Sequence, residues 1–167
     1  KLIVNREKSQ VCEVNQTKFL GYTILMDGNL NIAKKSIERF KSKVRSLTKR
    51  NRGVRFEQVI TELEPVMRGW LNYFRFARCK GLLKNLDSWI RRKLWCYRLK
   101  QCKRTITLQR FLESHGVDSW QSRILALSGK GHWRKSGCPQ AHQALNNNRF
   151  DAVGLYNLTL NYERLNN

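Results

Sequence analysis

Apolar positions recur along this chain with helical spacing over most of its length and with strand-like alternation only at its start. "TKFLGYTILMDGNLNI", residues 17 to 32, is rich in aromatic and β-branched residues and breaks at Asp27-Gly28, a strong hairpin signal. The first thirty residues are therefore expected to form strands, with a hairpin leading into helices. From Ala33 to Arg50 the apolar residues Ile37, Phe40, Val44 and Leu47 are spaced 3, 4 and 3, one stripe of a helix. A second helix is expected from Phe56 to Ala77, where Val59, Leu63, Val66, Trp70, Tyr73 and Ala77 keep phase through Pro65. That continuity predicts a kink or two nearly collinear pieces rather than a boundary, with Trp70 in the core. A third runs from about Leu82 to Lys100 on Leu83, Leu86, Ile90, Leu94 and Tyr97. Trp89 and Trp95 lie off that stripe and can pack on another neighbour or stack on bases or ribose, with packing favoured for Trp89. Beyond Arg104 the chain is less charged and broken by Gly116, Gly129, Gly131, Gly137 and Pro139, which predicts short helices in a small tail.

The pattern thus predicts a mainly α fold. A short N-terminal β-hairpin spans residues 1 to 32, a basic three-helix bundle 33 to 104, and a small helical region 105 to 167.

Charge changes this picture most. The 167 residues hold 33 Lys and Arg against 12 Asp and Glu, a net charge of +21 and a sequence pI near 10.4. A chain so charged repels itself, and a polyanionic partner is the economical explanation. No run of about 18 apolar residues suggests a membrane span, and no secretory signal is visible. Without an initiator methionine, the sequence reads as a piece of a longer protein.

The basic residues are not evenly spread. Lys34, Lys35, Arg39, Lys41, Lys43, Arg45, Lys49, Arg50, Arg52 and Arg55 face a single acid, Glu38. A solvated helix normally intersperses Glu for support four residues away, and this one hardly does. Arg91 to Arg104 holds seven cations and no acid, so Arg91, Arg92 and Arg98 are expected to form a second face of a cleft. Arg68, Asn72 and Arg75, on the polar edge of the second helix, rank next as nucleic-acid contacts.

Catalytic chemistry finds little support. Metal-assisted phosphoryl transfer needs grouped carboxylates, whereas Asp27, Asp87, Asp118 and Asp151 are isolated and Glu62 and Glu64 point apart on a helix. His132, Cys138 and His142 offer three ligands where a closed zinc site wants four. No catalytic residue, metal ligand or cofactor is assigned. Five cysteines, Cys12, Cys79, Cys96, Cys102 and Cys138, at irregular spacing argue for core thiols in a reducing compartment.

Several stretches in order carry a resemblance: "KLIVNREKSQV", "KFLGYTI", the basic helix, "LEPVMRGWLNYFRFA", "LDSWIRRKLW" and "GHWRKSGCPQAHQALNNNRFDAVGL". Together the chain resembles the C-terminal part of group II intron-encoded reverse transcriptases, the intron maturases. That resemblance implies that Lys18 to Tyr22 end the reverse transcriptase palm and that the helices bearing Ile37, Trp70 and Ile90 form the thumb, or maturase domain. It implies a mobile-element protein that clamps group II intron RNA for splicing, holds template-primer RNA/DNA duplex in reverse transcription and retrohoming, and in some members engages target DNA through the tail. The compartment implied is bacterial cytoplasm or an organelle. The family's Tyr-x-Asp-Asp polymerase signature and its Cys-rich His-Asn-His endonuclease module are absent from this sequence. Magnesium is thus expected for the full-length polymerase, and this piece alone is not expected to polymerise. The alternative is a generic basic helical component of a ribonucleoprotein, without intron specificity.

Overall fold

The computed structural model describes residues 18 to 166, so the expectation of strands in the first seventeen residues lies outside the described part. A three-stranded antiparallel sheet in the order β1-β2-β3 opens it: β1 Lys18–Phe19, β2 Tyr22–Ile24 and β3 Leu30–Ile32. The expected hairpin is β2-β3, with Tyr22 opposite Ile32 and Ile24 opposite Leu30. At its turn Gly28 takes φ +77° and the Asp27 carboxylate accepts the Asn29 N–H at 3.0 Å. A further strand, β1, precedes it through a turn at Leu20-Gly21, where both residues have positive φ, 48° and 84°. A Cβ on Gly21 would sit 2.8 Å from Ser36 Oγ, and the Gly21 carbonyl accepts from Ala33 N and Ser36 Oγ. Glycine therefore lets the sheet close onto the first helix.

Helix α1, Lys34–Leu47, buries Phe40 and Val44 and half-buries Ile37 and Leu47, as the stripe predicts. It stops short of Arg50 because its last carbonyls find other donors. Thr48 Oγ1 donates to Val44 O at 2.8 Å and Arg52 Nη1 to Leu47 O at 2.6 Å.

Helix α2, Phe56–Phe74, runs unbroken through Pro65. Its buried face, however, is Phe56, Val59, Ile60, Leu63, Met67, Leu71 and Phe74. Relative to the expected stripe this is a shift of three residues, about 60° of helix rotation. Tyr73 is 51% exposed and Trp70 sits at the core's edge, its ring 4.5 Å from Phe40. The sequence misleads here because α2 is apolar around more than half its circumference, and its neighbours choose the centre. Helix α3, Lys80–Gln101, buries the whole expected stripe.

Six short helices follow: α4 Thr105–Glu113, α5 Ser119–Leu127, α6 His132–Lys135, α7 Pro139–Ala144, α8 Asn147–Ala152 and α9 Leu158–Asn166. Asp118 caps α5, Asn146 caps α8 and Pro139 opens α7, where its missing N–H costs nothing. All of these helices but α6 share one hydrophobic core with α1 to α3, reaching from Ile32 to Leu158. Two polar contacts fasten them. Trp95 Nε1 donates to Leu145 O at 2.7 Å while its ring stacks on His142. Buried Asp87 accepts Leu158 N, Thr159 N and Thr159 Oγ1 at 3.0, 2.9 and 2.7 Å, so a carboxylate of α3 caps α9. Trp95 thus packs inside the protein rather than facing solvent.

Candidate nucleic-acid interface

The two basic segments of the sequence meet where the loop after α1 crosses α3. Arg45 lies 5.6 Å from the Trp89 ring and Lys93 lies 5.7 Å from it on the α3 side. Lys93 also lies 5.0 Å from Trp133 of α6, and the Arg92 guanidinium stacks on that indole at 4.3 Å. Arg50 completes the group. Burial is the largest cause holding Lys93 below the ordinary lysine pKa; the Cys96 thiol pulls the other way, and the charges of Arg45 and Arg50 push it further down. Like charges packed this closely make a place where an anion is welcome.

A groove of about 540 Å³ continues from this junction, between Arg50–Phe56 and Tyr97–Lys103, with Arg55, Arg98, Lys100 and Lys103 along it. Its floor is fixed, since Tyr97 Oη and Gln101 Nε2 both donate to Val54 O, at 2.7 and 2.9 Å. Lys49, Arg50, Asn51 and Lys100 frame an adjoining recess of about 400 Å³. On the same side His132 of α6 stands among Lys100, Arg50 and Lys135, and burial first, then these charges, lower its pKa from the ordinary 6.5.

Other expected contacts are placed differently. Lys34, Lys35 and Arg39 lie exposed at the sheet end of α1, and Arg39 lines a recess with Leu20 and Tyr73. Lys43 is exposed, while Lys41 and Arg45 share Glu38 at 3.4 and 3.6 Å. Arg52 is half-buried and spent internally, bonded to Glu62 at 2.6 Å as well as to Leu47. Arg68, Asn72 and Arg75 form a separate exposed edge beside α9: Arg68 pairs with Glu64 and lies over Tyr156, and the Arg75 carbonyl accepts from Asn166. Arg91 sits beside Ser88, and Arg98 stacks on Phe111 at 4.5 Å.

Lys93, Lys100, His132, Trp133 and Lys135 were not expected at the site. The seven cations from Arg91 to Arg104 include Lys93 and Lys100, but the sequence does not single these two out. Helix α6, four residues long, has no periodicity to read.

Carboxylates do little to neutralise this surface. Five ion pairs among the described residues use only Glu38, Glu62, Glu64 and Glu163. Asp27, Asp87, Asp118 and Glu113 instead accept hydrogen bonds from backbone or neutral groups. Among the described residues no three His, Cys, Asp or Glu side chains converge to hold a metal ion; Cys138 Sγ donates to Arg134 O and His142 lies on Trp95. No helix of the described part is long and apolar enough to cross a membrane.

Fold and surface together define a basic helical bundle with a small antiparallel sheet at one end. Residues 37–116, from α1 to the turn after α4, match the family described as group II intron, maturase-specific domain. Over those residues the chain is similar to the maturase-specific portion of group II intron proteins. No curated protein matches the chain.

Proposed function

We propose that this chain is the RNA-binding thumb and maturase module of a group II intron-encoded reverse transcriptase. It clamps folded intron RNA so that the ribozyme keeps its splicing-competent shape, and the splicing chemistry is the RNA's own. In the parent polymerase the same surface holds the template-primer duplex during reverse transcription and retrohoming, and the tail adds contacts to target DNA. One observation carries the reading. The maturase-specific match covers the two helices, α1 and α3, whose cations meet around Trp89 and open into the groove.

Phosphate contacts from Arg45, Arg50, Arg92, Lys93 and Lys100 supply affinity, and RNA shape, 2′-hydroxyls and unpaired bases supply choice. Magnesium chemistry belongs to the polymerase centre of the parent protein, and no step assigned to the described residues passes through a metal. The four described cysteines are free thiols, in keeping with work in a reducing compartment, bacterial cytoplasm or an organelle.

The test is binding of this chain to a folded group II intron RNA, a scrambled RNA of equal length and duplex DNA across a salt series. With about six to ten phosphates engaged, affinity for each falls roughly 10³ to 10⁵-fold between 50 and 200 mM salt. A preference for intron RNA that survives at the upper salt is the expected result. Equal, salt-erased binding to all three would leave only a generic basic protein of a ribonucleoprotein.

A further inference from the structure

The basic groove has a side pocket of different character. At Phe56, Glu57 and Arg98, which line both, the groove joins an open-sided cavity of about 230 Å³. Its walls are Phe56, Phe111, Phe150 and Leu145, with Arg98, Arg149 and the exposed Val153 at its rim. The three phenylalanines are buried, at 5%, 8% and 2% exposure, so the walls are part of the core and fixed in place. His115 closes one side with its ring 4.2 Å from Phe111. Burial, then Arg149, lower its pKa from the ordinary 6.5, which disfavours a charged ring inside the pocket.

Size narrows the occupant. Pockets for drug-sized ligands run about 300–1,000 Å³, so this one accepts a single flat ring system and leaves an attached sugar and phosphate outside. The arrangement of an apolar aromatic slot beside a basic channel is the one that receives bases splayed out of single-stranded RNA.

Glu57 adds selectivity. It is the sole acid among the residues lining the groove and the pocket, standing where they join, and it is exposed. Its place in the first turn of α2 suits the helix dipole, but a carboxylate in a phosphate channel repels the backbone it must accommodate. What it favours is a base edge rich in donors. Guanine presents N1–H and the 2-amino group side by side, whereas uracil presents one N–H between two carbonyls.

We propose that this pocket holds one unpaired base of the bound RNA, guanine preferred, with Glu57 accepting from its Watson–Crick edge and Arg98 and Arg149 holding the flanking phosphates. The inference rests on the nucleic-acid reading of the groove given above.

The test compares three nine-nucleotide single-stranded RNAs at one salt concentration: all uridine, uridine with a central guanosine, and uridine with a central abasic site. The guanosine oligomer should bind this chain about tenfold more tightly than the abasic one, a low-end value for one stacked base, with uridine between. Glu57→Gln should bring guanosine to the uridine level. Val153→Trp, placed at the exposed rim to fill the cavity, should bring both to the abasic level while the salt slope stays unchanged, because no phosphate contact is lost.

Equal binding of the three oligomers to the unsubstituted chain overturns the pocket. It leaves the maturase reading intact if intron RNA is still preferred at high salt. Failure of every oligomer and of intron RNA to bind overturns both. A guanosine preference that both variants retain places the base elsewhere and overturns this assignment alone.

Discussion

His132 stands among Lys100 of α3, Arg50 of the loop after α1 and Lys135 of its own helix, and burial with these charges disfavours its imidazolium. A phosphate set in their midst reverses that balance and raises the pKa, so binding takes up a proton. Affinity for RNA should therefore grow as the pH is lowered from about 7.5 to about 5.5. His132→Gln should flatten the profile. Fluorescence anisotropy at fixed ionic strength measures it, and an affinity that stays level or falls would place the phosphates away from α6. For folding of the free protein the sign is opposite. The folded pKa is depressed, so this histidine's stability contribution is complete above the unfolded value of 6.5 and is lost as the pH falls through the folded one. The same residue thus weakens the free protein and strengthens the complex in acid.

Among the elements, α9 depends most on a single side chain. Asp87 supplies its N-terminal cap from another helix, through three hydrogen bonds to a buried carboxylate. Asp87→Ala leaves those donors without their acceptor and should cost roughly 3 kcal/mol, read as a lower urea midpoint. Asp87→Asn, which keeps one acceptor oxygen, should cost less. If both variants melt like the parent, α9 is held by its apolar contacts alone. This cap also shows where sequence pattern stops informing. Helices α1 and α3 are long and carry unbroken apolar stripes, so period and phase both emerge from Ile37 to Leu47 and from Leu83 to Tyr97. In α2 the period was legible but the phase was not, because Trp70 and Tyr73 are as apolar by type as Met67 and Leu71. The tail helices are too short for either, and the polar contacts of Asp87 and Trp95 that fasten two of them span fifty residues of chain or more. The groove was foreseeable from two acid-poor segments; Trp133 and His132, on a four-residue helix, were not.

At the scale of the molecule, the net charge of +21 is opposed by few carboxylates, and the cations gathered around Lys93 repel one another. Sodium chloride should stabilise the free protein by shortening the screening length from about 10 Å at 0.1 M to about 3 Å at 1 M. Its melting temperature should rise by roughly 2–4 °C for each kcal/mol of repulsion removed, as calorimetry would record. A fall would show that the paired minority of charges outweighs the rest. Salt should thus move the two readouts oppositely, loosening RNA while tightening the fold.

The return of α9 onto α2 and α3 carries a consequence for synthesis. Translation delivers the chain in order, and the groove residues from Arg45 to Lys103 leave the ribosome well before Leu158 and Tyr162. Until those two emerge, the seat beside Ala77, whose carbonyl takes the Tyr162 hydroxyl, stands open and Asp87 has nothing to cap. A nascent chain can therefore display its cations to RNA before its core is closed. Pausing between the two events would lengthen the time for which those cations are presented without a finished core.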